Sequence, residues 1–220
     1  MFVGHTALAL AGKARAPRTS LGLLLAAAVG LDLLWPVFLL VGIERVRIEP
    51  GVTAFTPLAF DSYPWSHSLV MALVWGGLLA LAVARRTGPG VPLLVGALVV
   101  SHWVLDFASH RPDMPLWPGP SPLLGLGLWD SIPATLLVEG ALFLAGILVY
   151  VRSTRPLDRT GSWALWTLLL VQAAMWASGP WGPPPPSPSV LAWVSLGLWL
   201  FVLWAWWADR HRVARAGARA

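Results

Sequence analysis

Long apolar runs alternate with short polar segments along the whole chain, and this alternation is the dominant pattern of the sequence. Each run is close to the ~20 residues that a helix needs to cross a bilayer. The pattern therefore predicts an all-α fold, namely a polytopic transmembrane helical bundle of about six spans. The predicted spans are residues 20–43, 66–84, 91–109, 131–151, 162–178 and 190–207.

The segments between these runs carry turn chemistry or an unusual composition. Residues 85–90 contain Gly-Pro-Gly and predict a tight turn, whereas residues 112–122 and 179–188 are too rich in proline for a regular helix. The longer segment 44–65 mixes charged and aromatic residues, so we expect that it can cover a site. Residues 2–12 form a further apolar segment, too short to span, which we expect in the interface or part-way into the membrane.

Composition supports a membrane protein over a soluble one. Hydrophobic residues make up 57% of the 220 residues and charged residues only 11%, with a mean hydropathy of +0.69. A soluble domain carries about 25% charged residues, so most of this surface is not suited to water. The fifteen tryptophans fit interfacial anchoring and helix packing.

Lysine and arginine are distributed unevenly between the two sides that six spans define. With a cytoplasmic N-terminus, twelve of the fifteen basic residues lie inside and three lie outside. Cytoplasmic loops are enriched in these residues, so the asymmetry predicts cytoplasmic N- and C-termini. It also explains the net charge of +5 without nucleic acid as a partner, and leaves bilayer lipid as the expected partner. The inside set is Lys13, Arg15, Arg18, Arg85, Arg86, Arg152, Arg155, Arg159, Arg210, Arg212, Arg215 and Arg219, and the outside set is Arg45, Arg47 and Arg111.

Ionisable residues within or beside the predicted spans need an explanation, because a charge at the centre of a span costs at least ~2.5 kcal/mol on insertion scales. Three of them, His102, Asp106 and His110, are spaced i, i+4 and i+8, so they form one polar stripe on a helix. The others are His5 in the N-terminal segment, Asp32 within the first span, His67 at the start of the second and Glu139 inside the fourth.

Histidine and carboxylate together suit a divalent cation such as zinc. The chain has no cysteine, so a metal site has to use these two ligand types. A catalytic zinc site keeps one position for water, and a spare carboxylate can then act as general base. Asp32 and Glu139 are the candidate catalytic carboxylates, and residues 1–152 are the candidate metal-site half of a single membrane domain spanning 1–220. Residues 153–220 supply two packing spans and a solvated basic tail.

Each of these residues also has a structural interpretation. The stripe on the third span can be a hydrogen-bonded seam between helices, Asp32 can pair with a histidine or arginine, and His5 can be interfacial. Glu139 can carry protons instead of binding metal. Three further acids are interpreted as loop residues, namely Asp61, Asp130 and Asp113, the last paired with Arg111.

Four short motifs occur in an order that resembles a known family. They are Gly4-His5-Thr6, a lone Asp32 in the first span, Trp65-Ser66-His67-Ser68, and Ser101-His102-Trp103-Val104-Leu105-Asp106. This order is similar to that of the bacterial inner-membrane proteins described as membrane-bound metal-dependent hydrolases, and to that of zinc-dependent phospholipase C. Residues 1–115 carry the resemblance, which implies metal binding by His5, Asp32, His67, His102 and Asp106.

One motif departs from the family pattern. Family members often carry His-Arg-Gly-x-Thr-His-Ser before the second span, whereas residues 61–68 here begin with Asp61 and lack the first histidine. The segment 2–12 also begins on the inner side under the charge rule, while His67 and His102 lie toward the outer side. A re-entrant N-terminal segment reconciles these positions and is the interpretation adopted. An N-terminus on the outer side would also reconcile them, but it would upset part of the charge asymmetry.

These observations favour a membrane-embedded hydrolase of the bacterial inner membrane. It would use a divalent cation, with zinc expected, to cleave a phosphoester in a lipid or lipid-linked substrate. The resemblance supplies the five ligands, and the helical stripe adds His110 as a sixth candidate. A transporter or proton-handling protein that uses the same acids and histidines remains an alternative, as does a non-catalytic structural membrane protein.

Overall fold

The computed structural model describes residues 1–215 and is mostly helical, as the apolar pattern predicts. Arg219, which the charge count places inside, lies outside the described residues. The helices are α1 (Val3–Gly12), α2 (Leu21–Ala28), α3 (Gly30–Leu40), α4 (Pro64–His67), α5 (Leu69–Ala84), α6 (Val91–Ser109), α7 (Ile132–Ser153), α8 (Arg159–Ser178), α9 (Pro188–Ser195) and α10 (Leu198–Arg210). The strands are β1 (Arg45–Ile48), β2 (Leu58–Ser62), β3 (Met114–Pro115), β4 (Leu123–Leu124), β5 (Thr154–Pro156) and β6 (Arg212–Ala214).

Three helical stretches within residues 1–215 are long and apolar enough to cross a membrane. They are Val91–Ser109, Ile132–Ser153 and Pro188–Arg210, and the last joins α9 to α10. The pair α2 and α3 becomes a fourth if the two helices form one span, although they are bent by 57° at their junction. The other predicted spans are also helical, but α5 has only 16 residues. The predicted helical, apolar character of the chain is thus confirmed, whereas the predicted number of six spans is not.

Serine and aspartate side chains begin several of these helices. Ser20, Ser68, Ser131 and Asp158 each accept a hydrogen bond from a backbone N–H in the first turn of α2, α5, α7 and α8, respectively. Such caps satisfy donors that have no partner within the helix. The cap at Ser68 has a further effect, because it separates α5 from α4 and leaves His67 as the last residue of α4.

The N-terminal helix α1 lies inside the bundle. Eight of its ten residues are buried, among them His5 and Leu10. It packs closely along α7, since a Cβ atom added at Gly146 would lie 2.5 Å from the carbonyl oxygen of Ala7. The interfacial alternative for residues 2–12 is therefore wrong, because this helix is covered by other helices instead of lying on the surface.

Three short antiparallel strand pairs lie outside the helices, and the first two, β1–β2 and β3–β4, are hairpins. Strands β1 and β2 pair with a register shift between Arg45 and Val46, and Arg47 forms an exposed ion pair with Asp61. Strand β5 pairs with β6 beyond the end of α10. The first part of the predicted solvated tail is therefore fixed to the bundle, because Arg212 donates hydrogen bonds to Thr154 Oγ1 and to the carbonyl of Gly161.

A buried ion pair connects the last helix to the first. Lys13 Nζ lies 2.5 Å from Asp209 Oδ2 and also donates to the carbonyl of Thr19. The Asp209 carboxylate accepts two further hydrogen bonds, from Tyr150 Oη at 2.7 Å and from the backbone N–H of Leu21. We call the side chains of Lys13, Tyr150 and Asp209, with the backbone groups of Thr19 and Leu21, the Lys13–Asp209 cluster. It joins α1, α2, α7 and α10.

Candidate metal centre

Five of the predicted ligands meet in one place in the bundle. They come from four parts of the chain: the first turn of α1, the first turn of α3, the end of α4 and one face of α6. Breaks in the chain help to bring them together, since Asp32 follows the α2–α3 bend by two residues and His67 precedes the α4–α5 break. We call this set the His–Asp cluster, and it comprises His5, Asp32, His67, His102 and Asp106.

The cluster contains two overlapping groups that could hold a metal ion. In the first, Asp106 lies between two imidazoles, with Oδ1 3.1 Å from His5 Nε2 and Oδ2 3.1 Å from His102 Nε2. In the second, Asp32 Oδ1 lies 3.4 Å from His67 Nε2 and 3.7 Å from His102 Nε2. The potential ligand atoms of each group lie within 4.8 Å of one another. His102 belongs to both groups.

The hydrogen bonds of His102 determine which of its nitrogen atoms faces the acids. Its Nδ1 lies 2.8 Å from the carbonyl oxygen of Ala28, the last residue of α2, where the helix ends and its carbonyls need other donors. A carbonyl only accepts, so Nδ1 carries the hydrogen. In a neutral imidazole, Nε2 then presents a lone pair, and it faces carboxylate oxygens of Asp106 and Asp32.

Two buried residues, Ser66 and Glu44, orient the imidazole of His67 through hydrogen bonds, a role that the sequence did not indicate. The Nδ1 atom of His67 lies 2.7 Å from Ser66 Oγ, and Ser66 Oγ lies 2.7 Å from Glu44 Oε2. The backbone N–H of Ser66 donates to the other oxygen of Glu44. With Glu44 ionised, the serine hydroxyl donates to the carboxylate and accepts from His67, so Nε2 again faces the cluster as a lone pair. Burial raises the pKa of Glu44, and the hydrogen bonds from Ser66 oppose that change.

A lone pair and a carboxylate that face each other repel unless a proton or a metal ion lies between them. His102 Nε2 and His5 Nδ1 are buried and have no hydrogen-bond partner among the described residues. Buried polar atoms are seldom left in this state. Imidazole and carboxylate are ligands that divalent cations such as zinc accept. The donor set therefore fits a metal ion, which would occupy the space that the lone pairs face.

Other polar groups border the cluster on the side of α7. The amino group of Met1 contacts Asp106 Oδ1 and lies 3.2 Å from Ser109 Oγ. The ring of His5 stacks on that of His102 at 3.7 Å. Glu139 is fully buried, and its Oε2 accepts the backbone N–H of Phe2 while Oε1 has no partner within residues 1–215. The predicted catalytic role of Glu139 stays a prediction.

His110, the sixth predicted ligand, belongs to neither group. Its Nδ1 lies 2.9 Å from Asp113 Oδ1 and 3.2 Å from Tyr63 Oη, because the helix α6 ends at Ser109 and the next residue turns away. Burial and Asp113 raise the pKa of Tyr63 well above its usual value, so its hydroxyl stays a donor. His110 therefore belongs to a polar network with Asp113 and Tyr63 and contributes to neither of the two groups that could hold a metal ion.

The loop acids lie away from the cluster. Asp61 is exposed and pairs with Arg47, so it does not replace the histidine that the family pattern has at this position. Asp130 is exposed at the start of the segment that leads into α7. Asp113 pairs with Arg111, as the sequence predicts, and also with His110.

The cluster opens into a cavity of about 690 Å³. Asp32, His67 and Asp106 line one end of it, and Asp32 is the most accessible ligand, with 28% of its side chain exposed. Residues 55–57, between β1 and β2, line part of the cavity together with Leu58 of β2 and Trp129. The segment 44–65 therefore covers the site, as the sequence predicts.

Sequence reasoning missed Glu44, and it included Ser66 only as part of a motif, without a role. Glu44 was read only as part of a mixed-charge loop, yet it is buried, and its position next to Ser66 depends on how the hairpin β1–β2 folds back. The only signal in the sequence was the serine that precedes a candidate histidine.

A scan against protein-family models and searches of curated proteins and of solved structures return no match for this chain.

Proposed function

We propose that this protein is a membrane-embedded metal-dependent hydrolase that cleaves a phosphoester in a lipid or lipid-linked substrate. The observation that carries the proposal is the arrangement at His102, where the Ala28 carbonyl fixes the hydrogen on Nδ1 and leaves Nε2 facing two carboxylates. A second imidazole, His67, is oriented in the same sense. This convergence supports a bound cation more than a simple hydrogen-bonded seam.

The resemblance in motif order agrees with this proposal. All five residues that it implies as ligands belong to the His–Asp cluster, although they are spread over a hundred positions of the chain. We infer zinc as the cation, because the donors are imidazole and carboxylate with no thiolate.

The chain's own residues have separate tasks in this proposal. A divalent cation, when bound, polarises a phosphoester and lowers the pKa of water. Asp32 faces the cavity and is the more accessible of the two acids in the His–Asp cluster, so it would accept a proton from the attacking water. Glu44 and Ser66 hold the orientation of His67. The buried side of the cluster, around Asp106, keeps the ligands in place and excludes solvent.

We place the protein in the bacterial inner membrane with six spans and a cytoplasmic C-terminus, while Met1 lies at the His–Asp cluster, where its amino group contacts Asp106. The six predicted segments are all helical, and twelve of fifteen basic residues fall on the side assigned to the cytoplasm. The buried position of α1 supports the re-entrant placement of residues 2–12, because this helix carries His5 to the same depth as His67 and His102.

Elemental analysis of the purified protein in detergent tests the proposal directly. We expect near-stoichiometric zinc or another divalent cation, lost in His102→Ala and Asp106→Ala and retained in the surface control Asp61→Asn. A cleavable phosphodiester, such as a p-nitrophenyl ester, should be hydrolysed only by the metal-loaded protein. Absence of bound metal in the wild type would remove the proposal.

The same preparation separates the hydrolase from the alternatives. Bound metal without hydrolysis of any phospholipid or phosphodiester would favour a non-catalytic protein. Proton or ion flux in liposomes that Asp32→Asn or Glu139→Gln abolishes would favour a transporter.

A further inference from the structure

The cavity next to the His–Asp cluster extends far beyond the groups that hold the cation. Its polar end contains Asp32, His67 and Asp106, and most of the remaining lining is aliphatic or aromatic. A volume of about 690 Å³ lies within the range of ~300–1,000 Å³ that is usual for ligand sites. Polar groups at one end and an apolar remainder match an amphiphile with one reactive head and one long apolar part.

The walls of the cavity show the direction from which a ligand enters. Helix α8 contacts α10 at one end, where the rings of Trp163 and Trp207 lie 5.3 Å apart. At the opposite end of α8, Met175 lines the cavity together with Val194 of α9 and Leu200 of α10. These three apolar side chains are also at least half exposed. The cavity therefore reaches the outer surface between α8 and the α9–α10 pair.

The side toward the connecting segments is covered. The backbone N–H of Phe55 donates to the carbonyl of Trp129 at 3.0 Å, and Phe55 packs near Trp176. Phe60 of β2 lines the cavity beneath this cover. Since α9 and α10 form one of the stretches apolar enough to cross a membrane, the open side would face the hydrocarbon region of a bilayer that this stretch crosses.

We propose that this cavity binds the apolar chain of a membrane lipid, which enters sideways between α8 and α9–α10 and presents its phosphoester to the His–Asp cluster. The assignment of a lipid phosphoester rests on the proposed hydrolase function, but occupancy by a lipid chain can be tested without catalysis. The covered side excludes large water-soluble substrates from this route.

Photocrosslinking tests occupancy. The probe is a lysophosphatidylcholine with a diazirine in its acyl chain, mixed into vesicles of phosphatidylethanolamine and phosphatidylglycerol that contain the whole protein. We expect adducts on the lining residues Phe60 and Phe201, besides those on the outer surface of α7 at Leu144. Substitution Leu200→Trp should narrow the opening and lower the lining adducts about tenfold relative to Leu144, because one added ring blocks a route that one chain fills.

The matched control is Leu203→Trp. Leu203 lies on the same helix and is 58% exposed, against 67% for Leu200, but it does not line the cavity. It should leave every adduct unchanged. Equal adducts on lining residues in both variants, or no lining adducts in the wild type, would overturn the proposal.

Hydrolysis adds a second readout that separates this inference from the proposed function. Two substrates share the same bond, p-nitrophenyl hexadecyl phosphate and p-nitrophenyl methyl phosphate. We expect Leu200→Trp to lower kcat/KM about tenfold for the hexadecyl ester only, with metal content and the methyl ester unaffected, because the change touches the chain and not the reacting bond. An equal loss on both esters, or none, would contradict lipid-chain binding while leaving the hydrolase intact. If neither ester is cleaved, the hydrolase proposal fails and the crosslinks alone decide occupancy.

Discussion

Helix α1 carries one buried polar cluster near each of its ends, and the two differ in how their charges are satisfied. His5 belongs to the His–Asp cluster, and Lys13 belongs to the Lys13–Asp209 cluster. Eight residues separate them, which corresponds to about 12 Å along the helix. Both clusters are closed off from solvent on most sides, and both connect segments that are far apart in the sequence.

The Lys13–Asp209 cluster is complete without any added group. One lysine faces one carboxylate, and the remaining lone pairs accept hydrogen bonds from Tyr150 and the backbone of Leu21. The His–Asp cluster instead brings two carboxylates together with imidazole lone pairs and leaves atoms of His5 and His102 without partners. Burial alone therefore does not indicate function. Buried polar atoms that lack hydrogen-bond partners, at a place where several helices converge, are the better indication of function.

The largest expected effect is on stability, from breaking the complete cluster. Asp209→Ala leaves the Lys13 ammonium buried without its partner, which costs about 3–5 kcal/mol. We expect a matching fall in the free energy of unfolding, measured by denaturant titration in detergent, whereas the folded fraction keeps its metal. The double variant Lys13→Met with Asp209→Leu should recover much of the loss. An Asp209→Ala protein as stable as the wild type would contradict the contrast between the clusters.

Removing the cation should destabilise the other end of α1 by a slightly smaller amount. A ligand present at 100 times its Kd stabilises the folded state by about 2.7 kcal/mol, which corresponds to a Tm change of roughly 5–10 °C for a chain of this size. We expect this fall in Tm when EDTA is added to the wild type. Asp106→Ala should show no response to EDTA. A wild-type Tm that EDTA leaves unchanged would count against a bound metal.

A smaller effect is expected from the residues that orient His67. Ser66→Ala removes the acceptor for Nδ1 and should weaken metal affinity about 10–100-fold, as measured by competition with a chelator, because such partners fix the orientation of a ligand. The matched control is Ser101→Ala, since Ser101 precedes His102 in the same way but bonds only to the carbonyl of Leu98 in its own helix. Equal losses in both variants would argue against a specific role for Ser66.

The smallest effect is expected at His110. It satisfies its Nδ1 within the network of Asp113 and Tyr63 and offers no atom to either group of the His–Asp cluster. His110→Asn should therefore change metal affinity by less than about twofold in the same competition assay, because it removes neither a ligand nor a partner of one. Loss of metal in this variant would restore the ligand role that the helical spacing predicts.

Helical periodicity accounts for the proximity of His102 and Asp106, and the end of the helix accounts for the different position of His110. An i, i+4 spacing places His102 and Asp106 on one face of any helix, so their proximity follows from the sequence. The same spacing includes His110, but the helix ends at Ser109 and His110 is extended, with ψ 149°. A pattern defines a face only as far as the helix continues, and its end was set by contacts with the following loop, where Gly127 donates to the carbonyl of His110.

The order of motifs in the family resemblance links residues that helical spacing cannot link. His5, Asp32 and His67 have no local signal that links them to α6, and His5 by itself suggested an interfacial residue. The order of motifs implied that they belong together, and the structure brings them together. Glu44 had no motif at all, because its contact with Ser66 depends on the hairpin that returns the chain to the start of α4.

The sequence by itself determined the apolar helical character of the chain and the ligand types that a site can use, because these depend on composition and on local periodicity. Only the tertiary structure decided which nitrogen atom of His102 faces the acids, that Lys13 is the buried partner of Asp209, and that α1 lies inside the bundle. These features depend on partners more than seventy residues away, such as Ala28 for His102, and no local pattern encodes them.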